Sequence, residues 1–391
     1  MMGFTYRALI NNILKDNSIN TIQNTIKKQK RNYGIDLLRI LSMINIINIH
    51  INIKTGLLYL NSISNPKFKN IIRLEAFSAS AVDCFGLISG IVGFHKYKFS
   101  NLIYLWFISA FYSVTNKAYL FIENRINLKQ LLLSFFPILI KFHWYVNSYF
   151  IMYLFLPIIN FGIKLLNQKI LGNLVFFYTL FFPIYYIISA LFGTDYNSLL
   201  NGFSSLWLVI LYIIGSFFGK YILENINKSS KLIKCFYLLN CIGFSFLSSE
   251  IYFITGNKIL INYLSPTILF QALSLVMFFY SIKITNKYII KIITLITPSV
   301  LSVSFIHSIL FNLKYKIILS LFASIKELNN KFIFFQIYIL SIIIFVFCII
   351  IDLFRVLLFK ILKIRKICLF IEIIFPKIFV QFLLIKKFLI N

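Results

Sequence analysis

Apolar residues in this chain run in blocks about twenty long, separated by short polar and basic joints. A block of that length crosses the hydrocarbon core of a bilayer as a helix. About ten such blocks can be read, at 36–53, 80–95, 101–121, 144–163, 171–192, 204–223, 233–254, 265–283, 297–313 and 333–353. The pattern predicts an all-α integral membrane protein, a polytopic bundle of about ten transmembrane helices. Two apolar stretches do not fit a span. Residues 131–142 ("LLLSFFPILIKF") are too short and read as interfacial or re-entrant, and 367–391 are broken by Glu372, Pro376 and Lys377 and read as a surface-lying amphipathic helix.

Composition leads to the same class. The 391 residues are 60% hydrophobic and 18% aromatic with 13% charged, and the mean hydropathy is +0.86, more apolar surface than a water-soluble domain needs. The net charge of +28 does not imply nucleic-acid binding, because Lys, Asn, Ile, Phe and Tyr are all enriched together, as in AT-rich coding. The charge does set orientation. With a basic, polar N-terminal stretch ("KKQKRNYG") held inside, about twice as many Lys and Arg fall on the cytoplasmic side as outside, which places both termini in the cytoplasm. Three segments follow: a basic N-terminal tail at 1–32, a transmembrane domain at 33–360, and a basic, apolar, interfacial C-terminal tail at 361–391. The five cysteines show no CxxC and no metal-type spacing, so each reads as a small buried hydrophobe and no metal site is expected.

The first block, "LLRILSMINIINIHI", carries both Arg39 and His50. Eleven helical steps return to within about 20° of the starting direction, so the two share one face, ~16.5 Å apart along the axis. Asp36 precedes Arg39 by three positions and can pair with it. Asn45, Asn48 and Asn52 form a second polar stripe on the opposite side, so protein should surround this helix. Other polar groups fall at the outer side: Asp83 at the start of the second block, His143, Trp144 and Tyr145 at the start of the fourth, and His307 inside the ninth. His95, Lys96 and Lys98 fall in a cytoplasmic loop where "HKYK" can meet an anion. A basic group near the cytoplasmic side and titratable groups toward the outer side suit a reaction between a cytoplasmic anionic donor and an acceptor across the membrane.

These stretches resemble the membrane-bound acyltransferase-3 family. "GIDLLRILSMINIINIH" is similar to that family's first helix, with an Arg, ten residues and a His; "VDCFGLISG" to its second; "HWYVNSYFIMYLFLPIIN" to its aromatic third block; and "SVSFIHS" to its late helix. The four occur in the family's order across roughly 33–350. Tyr145 stands where Phe is usual, Phe305 where Tyr is usual, and Lys96 with Lys98 only approximates a basic pair. The resemblance implies an enzyme of a bacterial cytoplasmic membrane that moves an acyl group, usually acetyl from acetyl-CoA as co-substrate, onto a hydroxyl of a surface glycan or its lipid-linked precursor, with no permanently bound cofactor. It assigns Arg39, Lys96 and Lys98 to the donor and His50 to the reaction centre. His307 and Asp83 would assist His50, and His143, Trp144 and Tyr145 would line the substrate side. The expected partners are membrane lipid, acyl-CoA and a glycan acceptor. A polysaccharide polymerase or a lipid-linked glycan flippase is the competing class, also polytopic and basic. A polymerase favours a long basic outer loop, and the longest here, 54–79, is modest; a flippase favours repeat symmetry, which the sequence does not display.

Overall fold

A computed structural model describes residues 31–59, 65–94, 97–193, 199–226, 230–312 and 332–375. Lys96, His95, the tail up to residue 30 and residues 376–391 lie outside these. The described residues form helices α1 (Tyr33–Lys54), α2 (Pro66–Ser78), α3 (Ala81–Gly93), α4 (Phe99–Ile122), α5 (Leu128–Leu133), α6 (Trp144–Leu165), α7 (Gln168–Phe192), α8 (Ser205–Phe217), α9 (Lys231–Thr255), α10 (Pro266–Tyr280), α11 (Lys287–Ile296), α12 (Val300–Asn312) and α13 (Ile333–Ile361), with no strand among them. A last helix, α14, covers 364–375.

Nine helical units among the described residues are long and apolar enough to cross a membrane. The protein is thus an all-α polytopic membrane protein. The expected span at 101–121 is also a helix, α4, of 24 residues; its Tyr, Ser, Thr and Asn content keeps it outside those nine. The second and ninth spans begin earlier than the apolar pattern indicates. α3 is 13 residues, about 20 Å, short of the ~30 Å core. The missing length comes from α2, which the sequence presents as an outer loop because it carries Lys67, Lys69, Arg73 and Glu75. Arg73 pairs with Glu250 of α9 at 2.7 Å and Glu75 with Lys258 at 3.5 Å. Likewise α11 joins α12 through a 3-10 turn at Thr297–Ser299, so that unit runs from Lys287.

The central helix is α1. Its first half enters one apolar cluster through Ile35 and Leu38, with α3, α8 and α10. Its second half enters another through Met43, Ile47 and Ile51, with α4, α12 and α13. The asparagine stripe faces α13: Ser341 donates to Asn48, and the Tyr338 hydroxyl to Asn45 at 3.4 Å. Helices α3 and α8 approach backbone to backbone. A Cβ on Gly90 would lie 2.1 Å from the Tyr212 carbonyl oxygen, and one on Gly215 would lie 2.1 Å from that of Leu87, the small-residue packing that membrane helices use. α7 and α9 turn large apolar side chains outward, among them Ile184, Ile188, Leu239 and Phe246. Cys235 is exposed, unlike the other four cysteines, which are buried; it is not the core hydrophobe expected of it.

The 131–142 stretch is a single short helix, α5, followed by turns, and does not cross. α14 docks on the start of α4: Glu372 accepts from the Phe99 backbone N–H at 2.7 Å, and Arg365 donates to Asn101 at 3.0 Å while its guanidinium stacks 3.7 Å from the Tyr104 ring centre.

Candidate active site

At the C-terminal end of α1, His50 meets His307 of α12. Nδ1 of His50 lies 2.7 Å from Nε2 of His307, and Nδ1 of His307 lies 2.6 Å from the Val303 carbonyl oxygen. A carbonyl only accepts, so His307 Nδ1 carries the proton. In the neutral ring Nε2 is then bare and accepts from His50 Nδ1–H. That leaves His50 Nε2 as the basic nitrogen, an assignment made from the partners. His307 is fully buried and His50 half-buried, so the outer ring of the pair is the accessible one.

His50 lines a cavity, open to one side, with about 680 Å³ of empty space including its mouth, together with His143, Trp144, Tyr145, Phe203 and Tyr263. His143 is the N-cap just before α6; its ring stands edge-on to Phe305, centroids 5.1 Å apart, and its buried Nδ1 has no hydrogen-bond partner among the described residues. Trp144, Phe203 and Tyr263 form an aromatic wall, with Phe203 centred 4.5 Å from Trp144 and 5.1 Å from Tyr263. Five of the residues expected at the site therefore converge: His50, His307, His143, Trp144 and Tyr145.

Arg39 lies three turns below His50 on the face that continues through Met43 and Ile46, both of which line the cavity. It is paired with Asp36 at 2.6 Å, and the same carboxylate accepts from Arg31 at 2.6 Å. From the cavity a ladder of tyrosines descends α6, Tyr145 to Tyr149 to Tyr153, with centroids 6.2 and 6.0 Å apart. Tyr153 is 5.2 Å from Tyr97 and its hydroxyl donates to the Lys98 carbonyl at 3.0 Å. Lys98 itself is exposed at the far end of this ladder. Asp83 is not brought to the cavity. It is fully buried and accepts from the Trp207 indole N–H at 3.0 Å, which ties α3 to α8. Its place at a helix start suggested the outer surface, but α2 extends the span beyond it.

Ser304, Phe203 and Tyr263 also line the cavity and were not singled out from sequence. Phe203 stands just before the helix-capping residue Ser204, and Tyr263 two positions before the cap Ser265. An aromatic ahead of a Ser cap is a legible helix-start signal, but nothing local indicates that both turns meet Trp144. Among the described residues no group of three His, Cys, Asp or Glu side chains has the geometry to hold a metal.

The family model for the acyltransferase domain, acyltransferase-3, matches residues 32–353. The chain belongs to the acyltransferase-3 family. It is a membrane acyltransferase, and the matched segment contains the histidine pair, Arg39 and the whole cavity. No curated protein and no solved structure shows a significant match to this acyltransferase.

Proposed function

We propose that the enzyme moves an acetyl or similar acyl group from acyl-CoA to a hydroxyl of a cell-surface polysaccharide or its lipid-linked precursor, in a bacterial cytoplasmic membrane. The observation that carries this reading is the hydrogen bond from His50 to His307, which leaves a basic nitrogen on a ring that borders the cavity. In the proposed step His50 Nε2 takes the proton of the acceptor hydroxyl as its oxygen attacks the thioester carbonyl. The carbon–sulfur bond then breaks, and the proton on His50 passes to the departing sulfur, so an ester and a free thiol leave and the imidazole is neutral again. His307 holds the ring and stabilises the cation that forms on it, since its bare Nε2 faces the His50 Nδ1–H.

The donor's path is proposed along Arg39 and the tyrosine ladder. The Lys/Arg asymmetry favours placing their far end in the cytoplasm. There Arg39 and Lys98, with Lys96, would meet phosphate oxygens through charge-assisted contacts. His143, Trp144 and Tyr145 would border the acceptor.

The test is mass spectrometry of the surface glycan from cells carrying His50→Ala at wild-type protein levels. Loss of the acyl group with unchanged chain length is expected. Glycan still fully acylated would overturn the assignment of His50, and shortened chains would favour a polymerase.

A further inference from the structure

A second cavity lies beside the first at the same end of the bundle. It has an empty volume of about 560 Å³ and is lined by Tyr186 and Ser189 of α7 and by Asn201 and Leu264 from the turns before α8 and α10. The two cavities share those turns. Asn201 borders one and Phe203 the other, and Leu264 borders one and Tyr263 the other. Between them Gly202 packs on Tyr263, so closely that a Cβ would lie 2.7 Å from that of the tyrosine. The partition is therefore a single residue, Gly202, on the first turn, while on the second the adjacent Tyr263 and Leu264 face opposite cavities.

The polar groups of this cavity are unusual for the site. The hydroxyls of Tyr186 and Ser189 and the amide of Asn201 have no side-chain hydrogen bond to any described residue, although Tyr186 and Ser189 are 7% and 8% exposed. A serine near the end of a helix normally bonds back to a carbonyl one turn earlier, as Ser109, Ser216 and Ser248 do here. Together the three supply donors and acceptors without a formal charge. Such a set fits a neutral ligand rich in hydroxyls, where a few convergent polar groups on an aromatic wall fix orientation. An anion would need a cation, and none lines the cavity among the described residues.

We propose that this cavity is a second acceptor subsite, holding the sugar next to the one acylated at His50. The glycan chain would run over the Gly202–Tyr263 ridge from one cavity to the other. The inference rests on the glycan reading above and adds to it that the enzyme measures more than one sugar.

The experiment uses purified full-length enzyme in detergent, acetyl-CoA, and oligosaccharides of one, two and three sugar units released from the host's own surface polysaccharide. The variant combines Tyr186→Phe with Asn201→Gly. Phenylalanine keeps the ring, and glycine suits the left-handed backbone at Asn201, whose φ is +55°, so both preserve the fold. Wild-type enzyme should show a lower KM for the two-unit than for the one-unit acceptor. In the variant the two-unit KM should rise about tenfold, as expected when two hydrogen bonds are lost, and the preference for length should vanish. A wild-type enzyme indifferent to length, or a variant that keeps the preference, overturns the subsite alone. A wild-type enzyme that transfers acetyl to none of the three overturns the glycan reading and the subsite with it.

Discussion

Each ring nitrogen of the His50–His307 pair has a distinct task, and the backbone assigns them. The Val303 carbonyl holds the proton on His307 Nδ1, which turns His307 Nε2 into an acceptor and orients His50. This chain of two bonds predicts different outcomes for two substitutions of His307. Alanine removes the acceptor and should lower kcat by about 10²-fold, the low end of what a positioned general base supplies. Glutamine, whose side-chain oxygen also accepts, should recover part of that loss. Both are read from single-turnover acyl transfer with donor KM measured in parallel. Equal losses in the two variants would mean that His307 only fills space. Sequence spacing was enough to find His50, because helix periodicity places it on the Arg39 face. It was not enough to pair it with His307, which is 257 positions away.

Among the helices, α3 and α8 are locked by absence of side chains. Gly90 and Gly215 let the two backbones touch, and each would put a Cβ 2.1 Å from a carbonyl oxygen across the interface. That contact keeps α3 beside α8, and so helps set where Phe85 and Val82 meet the cavity. Gly90→Leu should therefore separate the helices and reduce folded protein, seen as loss of the monodisperse peak in detergent. Gly243→Leu is the control, since nothing lies within 4 Å of a Cβ there, and it should leave the peak intact. The motif "GLISG" was visible in the sequence. Its partner glycine on α8 was not, since which small residues face each other depends on how the helices rotate against one another.

At the scale of the whole molecule, one buried ion pair joins three elements. Asp352 of α13 accepts two hydrogen bonds from Arg355, at 2.6 and 2.7 Å, and one from the Tyr112 hydroxyl of α4. Tyr112 stacks on Phe305 of α12, two residues from His307, with centroids 5.6 Å apart. Both charged residues are almost completely buried. Asp352→Ala would leave the arginine uncompensated and should cost about 3–5 kcal/mol, since breaking a buried pair strands its partner. Thermal unfolding in detergent measures this. The double replacement Asp352→Leu with Arg355→Leu should recover much of the stability, because the stranded charge is gone. A single variant as stable as wild type would mean that water or lipid headgroups reach Arg355.

The sequence by itself determined the class, most of the spans and the polar faces of α1. These follow from local rules, a bilayer thickness and a period of 3.6 residues, that any twenty-residue stretch obeys on its own. It also placed the Arg39 and His50 signature that the acyltransferase-3 match contains. Only the tertiary structure decided that α2 runs on into α3 as one unit long enough to span, that Asp83 serves Trp207 rather than the histidines, and that Phe203, Tyr263 and Trp144 share one wall. Those outcomes depend on the rotation and depth of each helix against its neighbours. A hydropathy pattern leaves both open, because lipid tails and a packed apolar core favour the same side chains.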